Sequence, residues 1–288
     1  MRSNRPAPCP VSGGGRSRFR STSQARWAAC PCLHARLRHS PVRAPVPCYP
    51  VPTGGVMATI ADIRAKSGLR QILEGQPQHV LLAVLLTIGA VALIAPVPDA
   101  PRLLGLTGTG WATLSIALAL THQVVVALGF RLQLHRALFT RLFGARDLAI
   151  WTAIFMPLLA ARPITLILTG WADTVPITGL RWLEIPLGLA LLAPAIWGMH
   201  STLVHFTLRR AVGGDHFREE IRALPPVRGG VFDHTDNGMY GVVFLGFWGI
   251  ALLFGSWNAL VVAAFQHAYI WVHMYATEAP DMRRLYGP

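Results

Sequence analysis

The chain has 288 residues, of which 52% are hydrophobic and only 14% are charged. Soluble domains usually carry about 25% charged residues, so this composition excludes an ordinary soluble protein and favours an integral membrane protein. The formal net charge of +13 does not indicate nucleic acid, because residues 1–56 hold nine arginines and no acidic residue, and the remaining chain carries only +4. A nucleic-acid partner would need a basic face on a folded domain, and the sequence shows none.

Residues 1–56 form a basic leader rich in Arg, Ser, Pro and Gly, without the apolar periodicity that a folded core needs. We predict that this leader is disordered. It is either an organelle transit peptide or upstream sequence translated in error, with Met57 as the true start. The lack of amphipathic helical spacing favours the second interpretation. All four cysteines lie in the leader, so no disulfide framework or thiolate metal site is predicted for residues 57–288.

Six apolar segments follow the leader and approach the length of about 20 residues that a membrane-spanning helix needs. Prolines interrupt the third and fourth segments, and a helix bundle tolerates them because neighbouring helices can satisfy the freed carbonyls. The sequence therefore predicts an all-α, polytopic membrane protein with about six transmembrane helices and a C-terminal helical hairpin. The predicted spans are residues 79–97, 111–130, 148–171, 182–208, 239–254 and 257–276.

The loops between these spans differ in charge. Lysine and arginine concentrate before the first span, between the second and third, between the fourth and fifth, and after the sixth, whereas the other loops hold only Arg102 and Arg181. By the positive-inside rule, we expect an integral protein of the lipid bilayer with both termini in the cytosol. Six spans satisfy this alternation without conflict.

The last two spans are joined by a tight turn at residues 255–258, so an antiparallel hairpin would bring two polar clusters to one membrane face. The first cluster is denser in polar side chains than a connector needs, although Asn-Gly could simply end the loop. The carboxylate of the second cluster would ordinarily be explained as a surface group at the membrane interface. Its position opposite the first cluster favours a functional site instead. The residues are Asp233, His234, Asp236, Asn237 and Tyr240 in the first cluster, and Tyr275 and Glu278 in the second.

Histidines in the spans offer a rival interpretation, a membrane di-iron oxygenase whose ligands would lie on one helix face. His200 and His205 are five residues apart, and His267 and His273 are six apart. Neither pair has the three- or four-residue spacing that aligns ligands on a helix. We therefore predict interhelical hydrogen bonds for these histidines and no metal site.

Arg162 lies inside the third predicted span, and an arginine within a membrane is by default a functional hypothesis. On the predicted topology it occupies the outer half of the span. Snorkelling to the surface or an ion pair with Glu184 explains it at least as well as a role in the site, so Arg162 is left outside the predicted site.

Three short motifs stand out near the C-terminus: Asp-Asn-Gly-Met-Tyr at residues 236–240, Glu-Ala-Pro at 278–280, followed by Tyr286, and Gly-Asp-His-Phe at 214–217. With these motifs the hairpin resembles the integral-membrane phospholipid methyltransferases, the phosphatidylethanolamine N-methyltransferase type, and more distantly the isoprenylcysteine carboxyl methyltransferases. Gly238 stands where the family usually has proline, and Ala279 stands for a second glutamate. The match covers roughly residues 182–288.

The resemblance implies an enzyme that transfers a methyl group from S-adenosylmethionine to a membrane lipid, most directly the ethanolamine headgroup of a phospholipid, at the cytosolic face. A methyl transfer mainly requires that donor and acceptor be positioned in line. An amine acceptor must also lose a proton before it attacks, and His234 or Asp236 would take that proton, directly or through water. The resemblance assigns the cofactor to Gly214, Asp215, Asn237, Tyr240, Tyr275 and Glu278, and Glu278 would also act in catalysis by favouring the cation.

Other functions remain open on the sequence alone. The methyl acceptor could be a small thiol or another amphiphile, because the first three spans control access and carry no signature. A di-iron oxygenase would depend on His200 or His267, and a non-enzymatic transporter or scaffold would tolerate changes at Asn237 and Glu278 but not at Arg162.

Overall fold

The computed structural model describes residues 58–96 and 102–287, so the predictions for residues 1–56 fall outside the described part of the chain. The prediction of an all-α protein is confirmed, since the described residues contain no strand beyond two isolated β-bridges. The α-helices are α1 (Ile60–Ala65), α2 (Leu69–Ile72), α3 (Gln76–Leu93), α4 (Gly108–Arg136), α5 (Leu138–Phe143), α6 (Asp147–Ala172), α7 (Arg181–Ser201), α8 (Leu208–Ala211), α9 (Glu219–Arg222), α10 (Leu245–Phe254), α11 (Trp257–His273) and α12 (Ala279–Tyr286).

Shorter helical turns separate some of these helices. Three-residue and four-residue 3-10 turns lie at Gly144–Arg146, Gly214–His216 and Gly230–Asp233. Two π-helical turns extend long helices: Thr202–Phe206 follows α7, and Met274–Glu278 joins α11 to α12. Single π turns often mark functional sites.

Four helical stretches among the described residues are long and apolar enough to cross a membrane, namely Leu69–Leu93, Gly108–Arg136, Leu138–Ala172 and Arg181–Phe206. Helix α10 is apolar but shorter. The regular helix of the fifth predicted span begins at Leu245 and not at residue 239. Residues 237–244 instead form successive turns, in which the Asn237 carbonyl accepts from the amides of both Tyr240 and Gly241 at 3.1 and 2.9 Å.

Hydrogen bonds between helix ends define two faces of the bundle. On one face, which we call the far face, Asp173 at the end of α6 accepts hydrogen bonds from the Ser256 hydroxyl and the Asn258 amide at 2.7 and 2.9 Å. Asn258 also donates to the Ala95 carbonyl after α3 at 3.1 Å. On the other, the loop face, Arg131 near the end of α4 reaches the backbone that follows α11. These contacts agree with the predicted alternation of spans.

The predicted hairpin is formed by α10 and α11. Gly255 ends α10 in the left-handed conformation with φ +66°, which favours glycine. Ser256 then caps α11, because its hydroxyl accepts a hydrogen bond from the Ala259 amide at 3.0 Å. The turn therefore lies where the sequence predicts it.

Two helix pairs, α4 with α6 and α7 with α10, pack together more extensively than any other pair. Glycines permit the close approach in both. A Cβ atom on Gly129 would lie 2.3 Å from the ring of Trp151, which is fully buried and donates to the Val212 carbonyl at 2.8 Å. A Cβ atom on Gly249 of α10 would lie 2.8 Å from the carbonyl oxygen of Gly188 on α7.

We expect Gly249→Ala to lower the free energy of unfolding by about 1–3 kcal/mol, because the added methyl group forces α7 and α10 apart. Gly89→Ala is the matched control, since a Cβ atom there meets nothing within 4 Å. That control should be neutral or slightly stabilising, by roughly 0.5 kcal/mol, because alanine is the better helix former. Thermal unfolding of the detergent-purified variants measures both changes in stability. If Gly249→Ala were as stable as Gly89→Ala, the close contact between α7 and α10 would be contradicted.

Candidate active site

A cavity of about 460 Å³ lies between the long helices and extends to the loop face. This volume is typical of pockets that bind small molecules. Its walls come from α4, α6, the end of α7, the loop at residues 207–217, the turns before α10 and the junction of α11 with α12. Most of the lining is apolar or aromatic, and the polar lining side chains are His122, Gln123, Arg162, Thr202, Arg210, Asp215, His216, Tyr240, His273 and Glu278.

Glu278 and Tyr240 meet in this cavity. The Tyr240 hydroxyl donates a hydrogen bond to Oε2 of Glu278, and the Tyr240 ring lies edge-on to Trp271 with 6.2 Å between centroids. The other carboxylate oxygen of Glu278 lies 3.4 Å from Nε2 of His273. Tyr240 and Glu278 belong to the two polar clusters of the hairpin, so the predicted convergence of these clusters at one face is confirmed.

The π turn at Met274–Glu278 explains how His273 comes to lie beside Glu278. Residues five apart on a regular α-helix point in different directions, and a π turn has more residues per turn than an α-helix. His273 is buried, and neither of its ring nitrogens has a hydrogen-bond partner among the described residues. The described residues therefore leave the hydrogen-bonding capacity of this ring unused. The contact between His273 and Glu278 could not be predicted from the spacing of residues on a regular helix.

Arg131 on α4 holds the π turn in place. Its guanidinium donates to the carbonyls of Ala276 and Thr277 at 3.3 and 3.1 Å. It also forms a buried ion pair with Asp281, with 3.2 Å between Nη1 and Oδ1. Asp281 is fully buried, and a buried carboxylate needs such partners. Arg131 thus fixes the backbone on which Glu278 is mounted.

His216 connects Asp281 to the predicted residue Asp215. Its Nδ1 lies 2.9 Å from Asp215 and its Nε2 lies 3.4 Å from Asp281. Burial alone would lower the pKa of His216, but the charges and hydrogen bonds of the two carboxylates outweigh burial and raise that pKa to about 10. Burial would raise the pKa of Asp215, yet the neighbouring His216 cation and the Tyr286 hydroxyl, at 3.0 Å, lower it. His216 is therefore charged at neutral pH and binds both carboxylates.

The glycines before Asp215 let the loop press against α4. Gly213 has φ +77°, and a Cβ atom there would lie 2.3 Å from the ring of Phe130. A Cβ atom on Gly214 would lie 2.4 Å from the Arg209 carbonyl oxygen. Gly214 does not itself line the cavity. Its contribution is a backbone close enough for Asp215 to reach the cavity wall.

Besides Gly214, four of the predicted site residues lie outside the cavity. His234 and Asp236 are exposed, and the His234 ring lies 5.7 Å from that of Trp197. Asn237 is half-buried, and only its backbone makes hydrogen bonds among the described residues. Tyr275 is 66% exposed and stacks on Trp271. The structure therefore brings together Asp215, Tyr240 and Glu278, and does not bring these four to them.

The histidines of the rival interpretation are dispersed. His200 on α7 and His205 in the π turn that follows it are exposed. His267 accepts a hydrogen bond from the Trp248 indole at 2.9 Å, so its predicted role between helices α10 and α11 is confirmed. Within residues 58–96 and 102–287, no three His, Cys, Asp or Glu side chains are grouped so that they could hold a metal ion.

Arg162 does not pair with Glu184, which was one of the explanations left open by the sequence. Glu184 instead accepts hydrogen bonds from Thr178 and Arg181 near the far face. Arg162 is only 1% exposed, so it does not reach the membrane surface either. It lines the inner part of the cavity. The distribution of charge among the loops could not have predicted this position.

The network around His216 generates a prediction about pH. At pH 7 we expect His216→Gln to lower the free energy of unfolding by about 3 kcal/mol, because the buried Asp281 and the half-buried Asp215 lose their shared cation. The folded pKa of about 10 exceeds the unfolded value of about 6.5. The stabilisation is thus complete below pH 6.5 and is lost as the pH rises through 10.

Thermal unfolding between pH 6 and 10.5 tests this prediction. The difference in Tm between wild type and His216→Gln should shrink as the pH rises. The exposed His234→Gln is the matched control and should follow the wild type throughout. A Tm difference that stayed constant with pH would show that His216 is not held as a cation.

The profile of the phospholipid methyltransferase family matches residues 183–288, which include α7 and every residue of the cavity wall that follows it. The chain is 28% identical over 112 residues to a phosphatidylethanolamine N-methyltransferase of Lodderomyces elongisporus, covering 38% of this chain and 12% of that protein. It is 36% identical over 75 residues to the protein of that name from Meyerozyma guilliermondii, covering 26% of this chain and 9% of the relative.

A third relative, from Clavispora lusitaniae and of the same name, is 29% identical over 112 residues, which cover 38% of this chain and 13% of the relative. The chain therefore spans only about a tenth of the length of these curated relatives. No solved structure matches it. The resemblance predicted from the hairpin motifs is confirmed: residues 183–288 of this chain match the phospholipid methyltransferase family.

Proposed function

We propose that this protein transfers a methyl group from S-adenosylmethionine to the amine headgroup of a membrane phospholipid, at the face that the positive-inside rule assigns to the cytosol. The observation that carries the proposal is the Glu278–Tyr240 pair in a cavity whose α7–α12 walls lie inside the family match. The names of the yeast relatives support an ethanolamine phospholipid as the acceptor.

The chemistry of the cavity fits S-adenosylmethionine. This cofactor, when bound, supplies a methyl group attached to a positively charged sulfur. Glu278 places a carboxylate at the loop-face end of the cavity, and a carboxylate favours a bound cation. Aromatic side chains such as Phe130 and Tyr240 line the same space and can pack against a planar base. We assign cofactor binding to Glu278, Tyr240 and Asp215, with Gly214 shaping the loop.

Asn237 and Tyr275 remain predicted cofactor ligands, although neither side chain lines the cavity. Asn237 lies three residues before Tyr240, and Tyr275 lies within the π turn that ends at Glu278. Both are thus close in sequence to residues that do line it. Rotation of their side chains around an occupied cavity would be needed for direct contact.

An ammonium headgroup must lose a proton before its nitrogen can attack, since an alkylamine has a pKa of about 10. His234 and Asp236 were predicted for this step, but both lie on the exposed loop. We assign the proton to His273, because a ring nitrogen without a partner faces Glu278 at 3.4 Å. Glu278 would hold the ammonium group and orient His273, so that proton removal and methyl acceptance happen in one place.

Calorimetric titration of the detergent-purified chain with S-adenosylmethionine tests the proposal. We expect Glu278→Gln to weaken binding about 10- to 100-fold, because a hydrogen bond to a charged group contributes about 1.5–3 kcal/mol. Glu220→Gln, which removes an exposed carboxylate from the neighbouring loop, should bind as the wild type does. Absence of binding by folded wild-type protein would refute the cofactor, and equal binding by Glu278→Gln would refute the site.

A further inference from the structure

Arg162 on α6 is a buried cation in the part of the cavity farthest from the loops. It is 1% exposed, and its guanidinium carbon lies 5.1 Å from the centre of the Phe244 ring. Among the described residues it forms no ion pair: Nε donates to Oε1 of Gln266 at 2.7 Å and Nη2 to the Gln266 carbonyl at 3.4 Å. A buried charge without a counter-ion costs several kcal/mol, so the cavity wall holds an uncompensated positive charge.

Gln266 is fixed in an orientation that leaves part of this guanidinium free. Its amide nitrogen donates to the Ser115 hydroxyl at 3.1 Å, and Ser115 in turn accepts from Thr165 at 2.9 Å. The amide oxygen of Gln266 therefore points at Nε of Arg162. Nη1 of Arg162 makes no hydrogen bond within the part of the chain that the structure describes, and arginine has five N–H donors in all. The free donors belong to a side chain that lines the cavity.

His122 on α4 adds a second group without a partner. It is 3% exposed, and both ring nitrogens are buried without a hydrogen bond among the described residues. It lines the same cavity as Arg162, and its ring packs edge-on against Phe155 with 5.0 Å between centroids. A neutral imidazole always has one N–H donor. Leaving such a donor buried and unpaired costs about 1–3 kcal/mol, which a ligand acceptor would recover.

The cavity opens sideways between α6 and α7, toward the apolar surface of the bundle. Leu159 on α6 and Met199 and Leu203 at the end of α7 line the cavity and are also 37%, 45% and 59% exposed. Helix α10 packs on both α6 and α7, whereas α6 and α7 hardly contact each other. Arg162 lies one helical turn from Leu159. A molecule whose apolar chains stay in the bilayer can thus place a polar group next to Arg162.

We propose that Arg162 and His122 form an oxyanion subsite that binds the phosphodiester of the phospholipid substrate. This inference rests on the proposed function and names the group by which the substrate is held. Arginine suits the task because its planar donors match phosphate oxygens. The phosphate would lie at the inner end of the cavity and the amine would extend toward Glu278 and His273.

The carboxylate of S-adenosylmethionine is the other anion that could occupy such a subsite. Two observations favour the lipid. The subsite adjoins the sideways opening at Leu159, and it lies within the spans, whereas Asp215, Tyr240 and the loop at residues 207–217 are at the loop face. A water-soluble cofactor reaches the loop face first, and a lipid reaches the opening first.

Native mass spectrometry of the full chain in detergent tests the subsite without relying on methyl transfer. The probes are dioleoylphosphatidylethanolamine and dioleoylglycerol, which share acyl chains and differ in the phosphoethanolamine group. We expect the wild type to prefer the phospholipid at least about 10-fold, and Arg162→Gln to lose this preference, because charge-assisted hydrogen bonds are lost. Arg141→Gln, which removes an exposed arginine outside the cavity, should keep the preference.

Arg162→Lys serves where the glutamine variant does not fold, because it keeps the charge but loses the planar fork. It should reduce phospholipid affinity several-fold. An unchanged phospholipid preference in the folded Arg162 variants would overturn the subsite. A calorimetric loss of S-adenosylmethionine binding in Arg162→Gln, with lipid preference retained, would assign the anion to the cofactor and also overturn it. Wild-type protein that selects the phospholipid through Arg162 but binds no S-adenosylmethionine would refute only the methyl transfer.

Discussion

The attachment of Arg131 to the backbone after α11 is the interaction on which the site depends. One guanidinium on α4 binds the carbonyls of Ala276 and Thr277 and the buried carboxylate of Asp281. The carbonyls of a π turn are imperfectly satisfied within the helix, so an external donor stabilises the distorted turn. Removal of this donor would release the turn and, with it, the placement of Glu278 against Tyr240 and His273.

The same attachment connects parts of the chain that are far apart in sequence. Arg131 also donates to the carbonyls of Gln71 and Glu74, both at 3.0 Å, so the segment before α3 is bound to the end of α11 through α4. Through Asp281, the network continues to His216 and Asp215. A buried network of this kind is costly unless every member has a partner. Because its members pair with one another, the network favours a single arrangement of the loop face.

Much of the fold could be predicted from the sequence because membrane helices are long and apolar. The six segments, their alternation and the turn at Gly255 and Ser256 follow from composition, arginine distribution and turn chemistry. The start of α10 could not be predicted, because the turns at residues 237–244 are as apolar as a helix and differ only in hydrogen bonding. Of the site, Asp215, Tyr240 and Glu278 were predicted by motif resemblance, and the structure places all three in the cavity.

The remaining cavity residues depend on contacts that spacing along one helix does not show. His273 is five residues from Glu278 and meets it only because the intervening turn is π-helical. Arg162 and His122 lie on different helices, and a lone arginine in a span also fits an interhelical ion pair. Conversely, His234 and Asp236 have the right chemistry for a base but stand on an exposed loop. Residue type predicted which chemistry was present, and tertiary packing decided which residues share a cavity.

The sideways opening between α6 and α7 has a consequence for kinetics. A substrate that arrives through Leu159, Met199 and Leu203 never leaves its leaflet, so the relevant concentration is its mole fraction among the surrounding lipids and not its amount per volume of solution. Dilution of the membrane with inert lipid would then slow turnover, whereas dilution with buffer would not. Under the proposed function, a methylated product would return to the same leaflet beside the same opening, where rebinding competes with lateral diffusion. The number of methyl groups added in one encounter would then depend on how fast lipids exchange past these three side chains.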